Sequence, residues 1–447
     1  MERALSTGIA ALAAVLIATP VRADPPPRIY DMVWSPDAHD VVLVTNRGLI
    51  FADTETHRFR LMCNQALDVG VGDPPDVAYL PDRRLIAATT PGLRVSSDGG
   101  CTWRGVDPLA TIQTPALAQH PSDLNSLYVA SYGPGASGIH VTHDGGAIWA
   151  SALALGDDEF THSLSIAAAN PQRIYAAGMK FDATSRSHYL VRSSDGGRSW
   201  ERTTIPLAAG EERASVIAIN PANADELLVK TTALDPDATP ERLLVSRDRG
   251  DHFAQVFVDN QIVHASYGEA AANVWVSDAQ GLWRSTDGMQ NFARQGPARW
   301  MTFAQEREGR LWGCGQFAGL GGAAEGVGLA LRIDDPFSSW MDFRDVKEPV
   351  ACGAGAPSAV ACDFAWAHWQ VEVLGYSDGG VPDSGGAGSG SDAGVEAGAG
   401  AAGAPQQLAA ADDGGCAVFA GSPRPALRGL ALLLLAVLAA RQRTLRR

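Results

Sequence analysis

The 447-residue sequence has few basic side chains for its length. Lysine and arginine together number 35, against 50 aspartate and glutamate residues, so the formal net charge is -15. Residues 1–23 carry a net +1 and residues 417–447 a net +6, which leaves the remaining chain near -22. An acidic surface of this size repels phosphate backbones. Nucleic acid is therefore not an expected partner.

Two further patterns are missing from the sequence. Between residues 28 and 374 no stretch carries a long helical hydrophobic period. The ten histidines show no metal-ligand spacing, and His120, His143 and His252 lie in or beside polar turns. We expect no metal and no cofactor.

Long apolar runs occur near the two ends of the chain. ALAAVLIATP (11–20) leads to Val21-Arg22-Ala23, whose small residues at -3 and -1 are typical of a signal-peptidase site. We predict a signal peptide over residues 1–23, cleavage after Ala23, and export. At the other end GLALLLLAVLAA (429–440) is short for a transmembrane helix, but the arginines that follow would hold it at the cytoplasmic face during export.

The segment before this tail is low in large apolar side chains. Residues 375–415 are rich in Gly, Ala, Ser and Asp, so we predict a flexible linker. The order of folded domain, linker, Cys416, apolar run and basic end resembles the C-terminal sorting signals of myxobacterial surface proteins. That resemblance implies processing near Cys416 within a sorting segment at 416–447; a plain membrane anchor is the alternative. Either way, we expect the tail to meet the membrane.

A short polar motif recurs five times and is the strongest feature of the sequence. The copies are SSDGGCTW (96–103), THDGGAIW (142–149), SSDGGRSW (193–200), SRDRGDHF (246–253) and STDGMQNF (285–292). Each has an aspartate with an aromatic residue five positions later, and four have glycine two positions after the aspartate. The aspartates are 46, 51, 53 and 39 residues apart. Weaker copies stand at Asp53 and Asp335, which makes seven units.

Each unit carries the pattern of four short strands. LYVA, IHVT and LLVS alternate apolar and polar residues with the period of a strand, and Pro, Asp and Gly mark the turns between strands. Seven units of four strands predict an all-β fold, a seven-bladed β-propeller over residues 28–374.

The motif also resembles the Asp-box, the repeat of the BNR propeller superfamily, which includes sialidases, xyloglucan-cleaving glycosidases, sortilin-type receptors and photosystem II assembly factors. The resemblance implies a structural turn on the face opposite the ligand site. The aspartate would accept N–H groups of its own turn, the glycine would take a positive φ, and the aromatic ring would pack between blades. The residues given these roles are Asp98, Gly100, Trp103, Asp144, Gly146, Trp149, Asp195, Gly197, Trp200, Asp248, Gly250, Phe253, Asp287, Phe292, Asp335 and Trp340.

Catalytic residues are harder to find, and the catalytic set stays unknown. A sialidase needs three converging arginines and a tyrosine nucleophile with a glutamate; Arg28 lacks the expected proline context, and Tyr267 with Glu269 falls on the Asp-box side. A glycosidase with two carboxylates has candidates in polar loops. These candidates are Asp157, Asp158, Glu159, Asp235 and Asp237, with solvated turns, which are favoured, or a weak calcium site as the alternatives.

The loops between the second and third strands would lie on the ligand face of such a propeller. Four are long, at 131–138, 178–189, 232–242 and 315–328, and binding residues tend to collect in loops of this kind. Neutral surface insertions are the alternative. The residues we expect to meet a ligand are Lys180, Phe181, Arg186, His188, Tyr189, Glu241 and Arg242.

Six cysteines in an exported chain are candidates for disulfides. From their positions we expect Cys63 to pair with Cys101 across neighbouring blades and Cys352 with Cys362 in a short loop, leaving Cys314 free. The stretch after Cys362 is expected to pair with an edge blade.

The function expected from the sequence is that of a surface-anchored, monomeric, non-catalytic binding or scaffold module for a protein or glycan. A divergent sialidase- or xyloglucanase-like glycoside hydrolase and an envelope assembly factor are the alternatives.

Overall fold

The structure is a computed structural model that describes residues 27–70, 73–183, 185–278, 280–295, 298–317, 325–330, 338–353 and 355–374. The predicted signal peptide with Ala23, the linker, the tail with Cys416, and Asp335 lie outside these residues. Within them, no helix is both long and apolar enough to cross a membrane.

The described strands form seven antiparallel sheets, numbered here in chain order. Sheet 1 contains β1 (Ile29–Trp34), β2 (Asp40–Thr45), β3 (Gly48–Asp53) and β4 (Arg58–Cys63). Sheet 2 contains β5 (Asp76–Tyr79), β6 (Leu85–Thr89), β7 (Gly92–Ser96) and β8 (Arg104–Gly105). Sheet 3 contains β9 (Gln113–Gln119), β10 (Leu127–Tyr132), β11 (Gly138–Thr142) and β12 (Ala150–Ala154).

The later sheets repeat this order. Sheet 4 contains β13 (Glu159–Ile166), β14 (Ile174–Phe181), β15 (Arg186–Ser193) and β16 (Glu201–Thr204). Sheet 5 contains β17 (Glu211–Ile219), β18 (Leu227–Ala233), β19 (Glu241–Ser246) and β20 (Ala254–Asp259). Sheet 6 contains β21 (Ile262–Tyr267), β22 (Val274–Asp278), β23 (Gly281–Ser285) and β24 (Ala293–Gln295). Sheet 7 contains β25 (Ala298–Arg307), β26 (Arg310–Phe317), β27 (Glu325–Ala330) and β28 (Ser338–Asp342).

The predicted all-β propeller is confirmed, but not every unit is a simple blade. Six sheets have four strands, one fewer than the seven four-stranded blades predicted. Sheet 1 has a fifth strand, β29 (Glu348–Pro349), which pairs in parallel with β4. First strands of consecutive sheets contact one another, and β1 contacts both β5 and β25. The short return strand adds to the first sheet because the chain comes back past its outer edge after sheet 7.

The core lies between the sheets. Each cluster of buried side chains is shared by two consecutive sheets, as where Leu80 and Ile86 of sheet 2 meet Leu127 of sheet 3. Second strands such as β2 and β6 are buried on both faces, because each sheet is packed between two others. The fourth strand β12 lies at the outside and is largely exposed.

The segment after sheet 7 is a helix, so the prediction of an edge strand there was wrong. Helix α1 runs over Pro357–Glu372, with proline at its first turn, and packs against β4 and a 3-10 helix at Asn64–Leu67. Four of its sixteen residues are alanine, the residue with the highest helix propensity. The buried ring of Trp369 packs beneath it and donates its Nε1–H to the Val346 carbonyl.

The helix also explains why the predicted disulfide pairing was wrong. The structure joins Cys63 to Cys362 and Cys101 to Cys352, while Cys314 is free and buried, as expected. Helix α1 carries Cys362 to the end of β4, where Cys63 lies. The segment before the helix passes the turn that holds Cys101, so both bonds tie the C-terminal segment to sheets 1 and 2.

Candidate functional site

The five recurring turns share one hydrogen-bond pattern. In each, the aspartate Oδ1 accepts the N–H of the residue four positions later, at 2.9 Å for Asp98, 3.0 Å for Asp144, 2.8 Å for Asp195, 2.9 Å for Asp248 and 3.0 Å for Asp287. The Ser or Thr two positions earlier donates its hydroxyl to the same Oδ1 at 2.7–2.9 Å. The turn therefore satisfies its own polar groups.

These bonds keep the turn carboxylates ionised. The Ser199 hydroxyl and backbone N–H hold the pKa of Asp195 at about 2. The backbone and ring of His252 do the same for Asp248, and Asn291 for Asp287, each again with a pKa of about 2. A carboxylate that is ionised and already bonded is a poor proton donor, so the motif has the properties of a structural part.

The position two residues after the aspartate is left-handed in all five turns. Gly100, Gly146, Gly197 and Gly250 have φ between 82° and 93°. In the fifth turn Met289 takes this position with φ 70°, and its side chain is buried among the residues between sheets 5 and 6. The residue two positions after the aspartate therefore faces the preceding sheet. Glycine occurs there where side chains of that sheet already fill the space.

The aromatic residues of the turns pack against the preceding sheet. Trp149 is buried with Ile86 and Leu127, and the Trp103 Nε1–H lies 3.0 Å from Met62 Sδ of sheet 1. Trp200, Phe253 and Phe292 contact the next three clusters. Trp340 differs, because it stands edge-on at 5.3 Å to Phe59 of sheet 1, which follows its own sheet 7 in the ring. We call the end of the ring that carries these turns the turn face.

The tyrosine considered as a sialidase nucleophile is held by a different glutamate. The Tyr267 hydroxyl donates to Glu226 Oε1 at 2.9 Å, while the Glu269 carboxylate accepts the Gly309 N–H at the turn face. Burial, and then the Glu226 charge, raise the pKa of Tyr267 well above its usual range. Tyr267 and Glu269 are not brought together as nucleophile and base.

A serine, a histidine and an aspartate meet on the turn face, a grouping that sequence reasoning missed. Ser126 Oγ lies 2.6 Å from Asp123 Oδ2 and 2.8 Å from His143 Nδ1, beside a cavity of about 540 Å³. The hydroxyl has one hydrogen, which it donates to Asp123, so a hydrogen bond with His143 needs an Nδ1–H donor. In a hydrolytic triad the histidine takes the serine proton and stands between serine and aspartate. Here the serine stands between the histidine and the aspartate, so the three residues do not have the order of a triad.

The opposite end of the ring, the loop face, is where second and third strands connect and first strands begin. Part of the predicted ligand set lies open there on the β14–β15 hairpin. Arg186 stands over the Phe181 ring at 5.8 Å and pairs with Glu212 at 2.8 Å. Lys180 lies 3.5 Å from Asp158, and burial, then Arg186, lower the pKa of His188.

The other predicted ligand residues stabilise the sheets. Tyr189 is buried under the Arg202 guanidinium at 4.3 Å. Glu241 is buried and accepts the Ile262 N–H of the next sheet at 3.0 Å. Arg242 donates from Nε to Glu211 Oε1 at 2.7 Å. These three side chains are already engaged by the protein.

Of the carboxylates considered for glycoside hydrolysis, several are already engaged by the protein. Asp157 accepts the Gly135 N–H at 2.7 Å and Asp235 accepts the Asp237 N–H at 3.2 Å, so both hold turns. Glu159 is buried and pairs with Arg202. Over the described ranges, no group of three His, Cys, Asp or Glu residues could hold a metal ion.

Sheets 4, 5 and 6 group four basic side chains, three near the beginnings of the first strands β13, β17 and β21 and one on the second strand β18. We call His162, Arg213, Lys230 and His264 the basic wall. His162 lies on β13 and donates its Nε2–H to the Ala214 carbonyl of β17 at 2.8 Å. Lys230 of β18 lies 3.4 Å from Glu241. Two rings contact the wall histidines: the half-buried Phe160 is stacked 5.8 Å from His162, and the buried Phe303 lies 5.0 Å from His264.

The wall groups are close enough to depress one another's protonation. Burial, and then Arg213, lower the pKa of His162 to about 3. Burial, and then Lys230, lower the pKa of His264 to about 4. Burial is also the main cause that lowers the pKa of Lys230; Glu241 opposes it and Arg213 adds to it. The wall is a cluster of basic side chains in a protein whose formal net charge is -15.

One carboxyl group on the inner strands behaves differently from the rest. Asp31 lies on β1 at the loop face and is open to solvent, yet it is surrounded closely enough by protein atoms that burial raises its pKa. Its Oδ1 accepts the Met32 N–H at 2.8 Å. This is the property expected of a carboxylic acid that can donate a proton.

Comparison with solved structures supports the fold. The chain is similar to an ancestral GH74 enzyme, with 16% sequence identity and a TM-score of 0.50 over 69% of this chain and 47% of that one. It is also similar to YCF48 from Cyanidioschyzon merolae (14% identity, TM-score 0.44, 65% of this chain and 92% of that one). The Dos1 propeller matches with 14% identity and a TM-score of 0.47, over 70% and 85% of the two chains.

This chain thus spans about half the length of the GH74 enzyme. No family model matches the sequence, and no curated protein is similar to it in sequence. At these identities the likeness shows the fold alone, and the class of protein defined so far is an all-β propeller.

Proposed function

We propose that this protein is an exported, surface-anchored, non-catalytic binding module that holds an anionic ligand, an acidic glycan or protein segment, at the basic wall. The observation that carries the proposal is the grouping of Arg213 and two half-buried histidines on the first strands of three consecutive sheets, with Lys230 on the neighbouring second strand β18. An incoming anion would favour the protonated forms of these groups, which burial disfavours. The long loops at 178–189 and 232–242 stand on the same face.

The finer structural assignments are part of the same proposal. We take the recurring turns as Asp-boxes, and sheet 1 with its added strand as the seventh blade of one ring. Two disulfides are in keeping with an oxidising compartment. The signal peptide at 1–23 and the sorting tail at 416–447 would supply export and anchoring.

The test is an array of neutral and acidic glycans probed with the chain from residue 24 to 376, read for binding and for cleavage. Arg213→Gln should weaken binding to acidic sugars, and raised salt should weaken the wild type in the same way. Arg198→Gln is the matched control, because it removes the same charge from an exposed position on the turn face. Equal binding by the two variants would refute the wall as the site.

A second function is favoured by Asp31 alone. A glycoside hydrolase needs one carboxylic acid with a raised pKa and a second carboxylate across the substrate. If the array shows product, Asp31→Asn should abolish cleavage, whereas it should leave binding at the basic wall within about twofold because it keeps the shape of the side chain. A ligand that proves to be a protein would instead favour a scaffold or envelope assembly role.

A further inference from the structure

Helix α1 presents an apolar stripe to solvent. The stripe consists of Val360, Phe364, Ala367 and Val371, spaced by four, three and four residues, which places them on one side of the helix. Phe364 is 81% exposed and Val360 65% exposed. Other large exposed apolar residues in the described chain, such as Ile148 and Leu234, are on separate elements. A contiguous patch of this kind is a sign of an interaction surface.

The helix cannot turn to hide this stripe. Its opposite side is fixed by the disulfide between Cys362 and Cys63 and by the buried ring of Trp369. At its first turn, the Ser358 hydroxyl donates to the Gly100 carbonyl at 2.9 Å. A helix that is apolar on both sides is expected to be covered on both sides. The question is what covers the outer one.

The size of the stripe argues against a second copy of the chain. A stable interface buries roughly 800 Å² per partner, and complete burial of an aromatic side chain supplies on the order of 150–250 Å². Phe364 with two valines and an alanine falls short of that total. A weak contact of this size needs a partner that is already held nearby.

The chain itself carries such a partner. The apolar segment 429–440 follows helix α1 through residues 375–428, and those 54 residues are rich in glycine and alanine. A flexible chain of that length has an end-to-end distance of about 40 Å, while the 16-residue helix is about 24 Å long. The linker therefore spans the stripe easily and gives an effective concentration on the order of millimolar.

We propose that, before the tail is inserted or processed, segment 429–440 packs on the stripe formed by Val360, Phe364, Ala367 and Val371. Twelve apolar residues would be shielded from water while the protein is in solution. The contact would be lost when the segment enters a membrane, because the segment would then be buried among lipid chains and no longer on the stripe. It does not depend on which ligand the propeller binds.

The experiment replaces Phe364 with the photo-crosslinker p-benzoylphenylalanine in the full-length chain, without detergent. After irradiation, mass spectrometry of the monomer band should find the probe joined to a peptide from 429–440. The yield should not change over a roughly hundredfold dilution, because the reaction is intramolecular. Formation of the Cys63–Cys362 bond reports that the variant is folded.

Two variants sharpen the result. Changing Leu433 and Leu434 together to Asp should lower the cross-link yield about tenfold, because two buried leucines would be lost from the contact. The same probe at Ile148, which is 73% exposed on the turn face, is the matched control and should not reach the tail. A cross-link to a second copy whose yield rises with concentration would overturn the proposal, as would an equal yield from both probe positions or none with the tail.

Discussion

Replacing Gly250 by alanine tests whether the recurring turns pack as the structure shows. At this position φ is +91°, and an added Cβ would lie 2.2 Å from Leu190 Cδ2 of the preceding sheet. An L-residue in a left-handed conformation costs about 1–2 kcal/mol, and forcing Leu190 from its place costs about 1–3 kcal/mol more. The expected loss in the free energy of unfolding is thus about 2–5 kcal/mol.

A control in an equivalent turn separates the two causes. Gly99 has φ +71°, and an added Cβ would meet no atom within 4 Å. Gly99→Ala should therefore cost only the backbone contribution of about 1–2 kcal/mol. Met289→Gly tests the opposite change. Loss of the buried side chain should lower the free energy of unfolding by about 1.5–3 kcal/mol, partly offset because glycine adopts a positive φ without strain.

The assay is urea unfolding followed by circular dichroism, with free energies from the midpoint and slope. The order of stability should be wild type, then Gly99→Ala, then Gly250→Ala. If Gly250→Ala were no less stable than Gly99→Ala, the turn would not press against Leu190, and the packing role of the motif would be wrong.

Three further predictions follow from the same contacts. Trp149→Ala should lower the free energy of unfolding by about 3–5 kcal/mol as the deletion of a buried aromatic side chain, and an unchanged melting temperature would contradict its place between sheets 2 and 3. Peptide mapping without reduction should join Cys63 to Cys362; a free thiol at either would refute the helix anchor. The pKa values of His162 and His264 in the folded protein are lowered to about 3 and 4. In the unfolded chain a histidine has a pKa of about 6.5, so below that pH the unfolded chain binds more protons than the folded protein. The free energy of unfolding should therefore fall as the pH drops from about 6.5 toward 4. Replacing both with Gln should flatten that part of a melting-temperature profile.

The turns could be predicted from sequence because their structure is local. Asp195, its hydroxyl partner Ser193 and the accepted N–H of Ser199 lie within seven residues, so one string contains the whole hydrogen-bond set. Recurrence of that string at blade-like spacing then indicates the propeller. Met289 could be aligned with the glycines from sequence, but its burial could not be predicted, because only the neighbouring sheet shows that the space there accepts a long side chain.

Features that join distant parts of the chain could not be read in the same way. Cys63 and Cys362 are 299 residues apart, and their pairing depends on where helix α1 docks. The basic wall is also non-local: His162, Arg213 and His264 belong to three sheets and meet only because their inner strands stand side by side. The predicted ligand residues lie in or beside long loops, and such a position is a sign of exposure. In the structure Tyr189 packs under Arg202, Glu241 pairs with Lys230, and Arg242 pairs with Glu211.

Two glutamates on the strands that carry His162 and Arg213 lack the raised pKa that a hydrolase needs. Burial alone would raise the pKa of Glu159, but Arg202 and the Gly156 N–H hold it below its usual range. The pKa of Glu211 is lowered in the same way, because the effect of burial is outweighed by Arg242 and the Thr231 hydroxyl. Both carboxylates are therefore ionised, and their acceptor sites face arginine. A hydrolase would need one of them protonated near neutral pH, so neither glutamate is suited to donate a proton to a ligand at the adjacent wall.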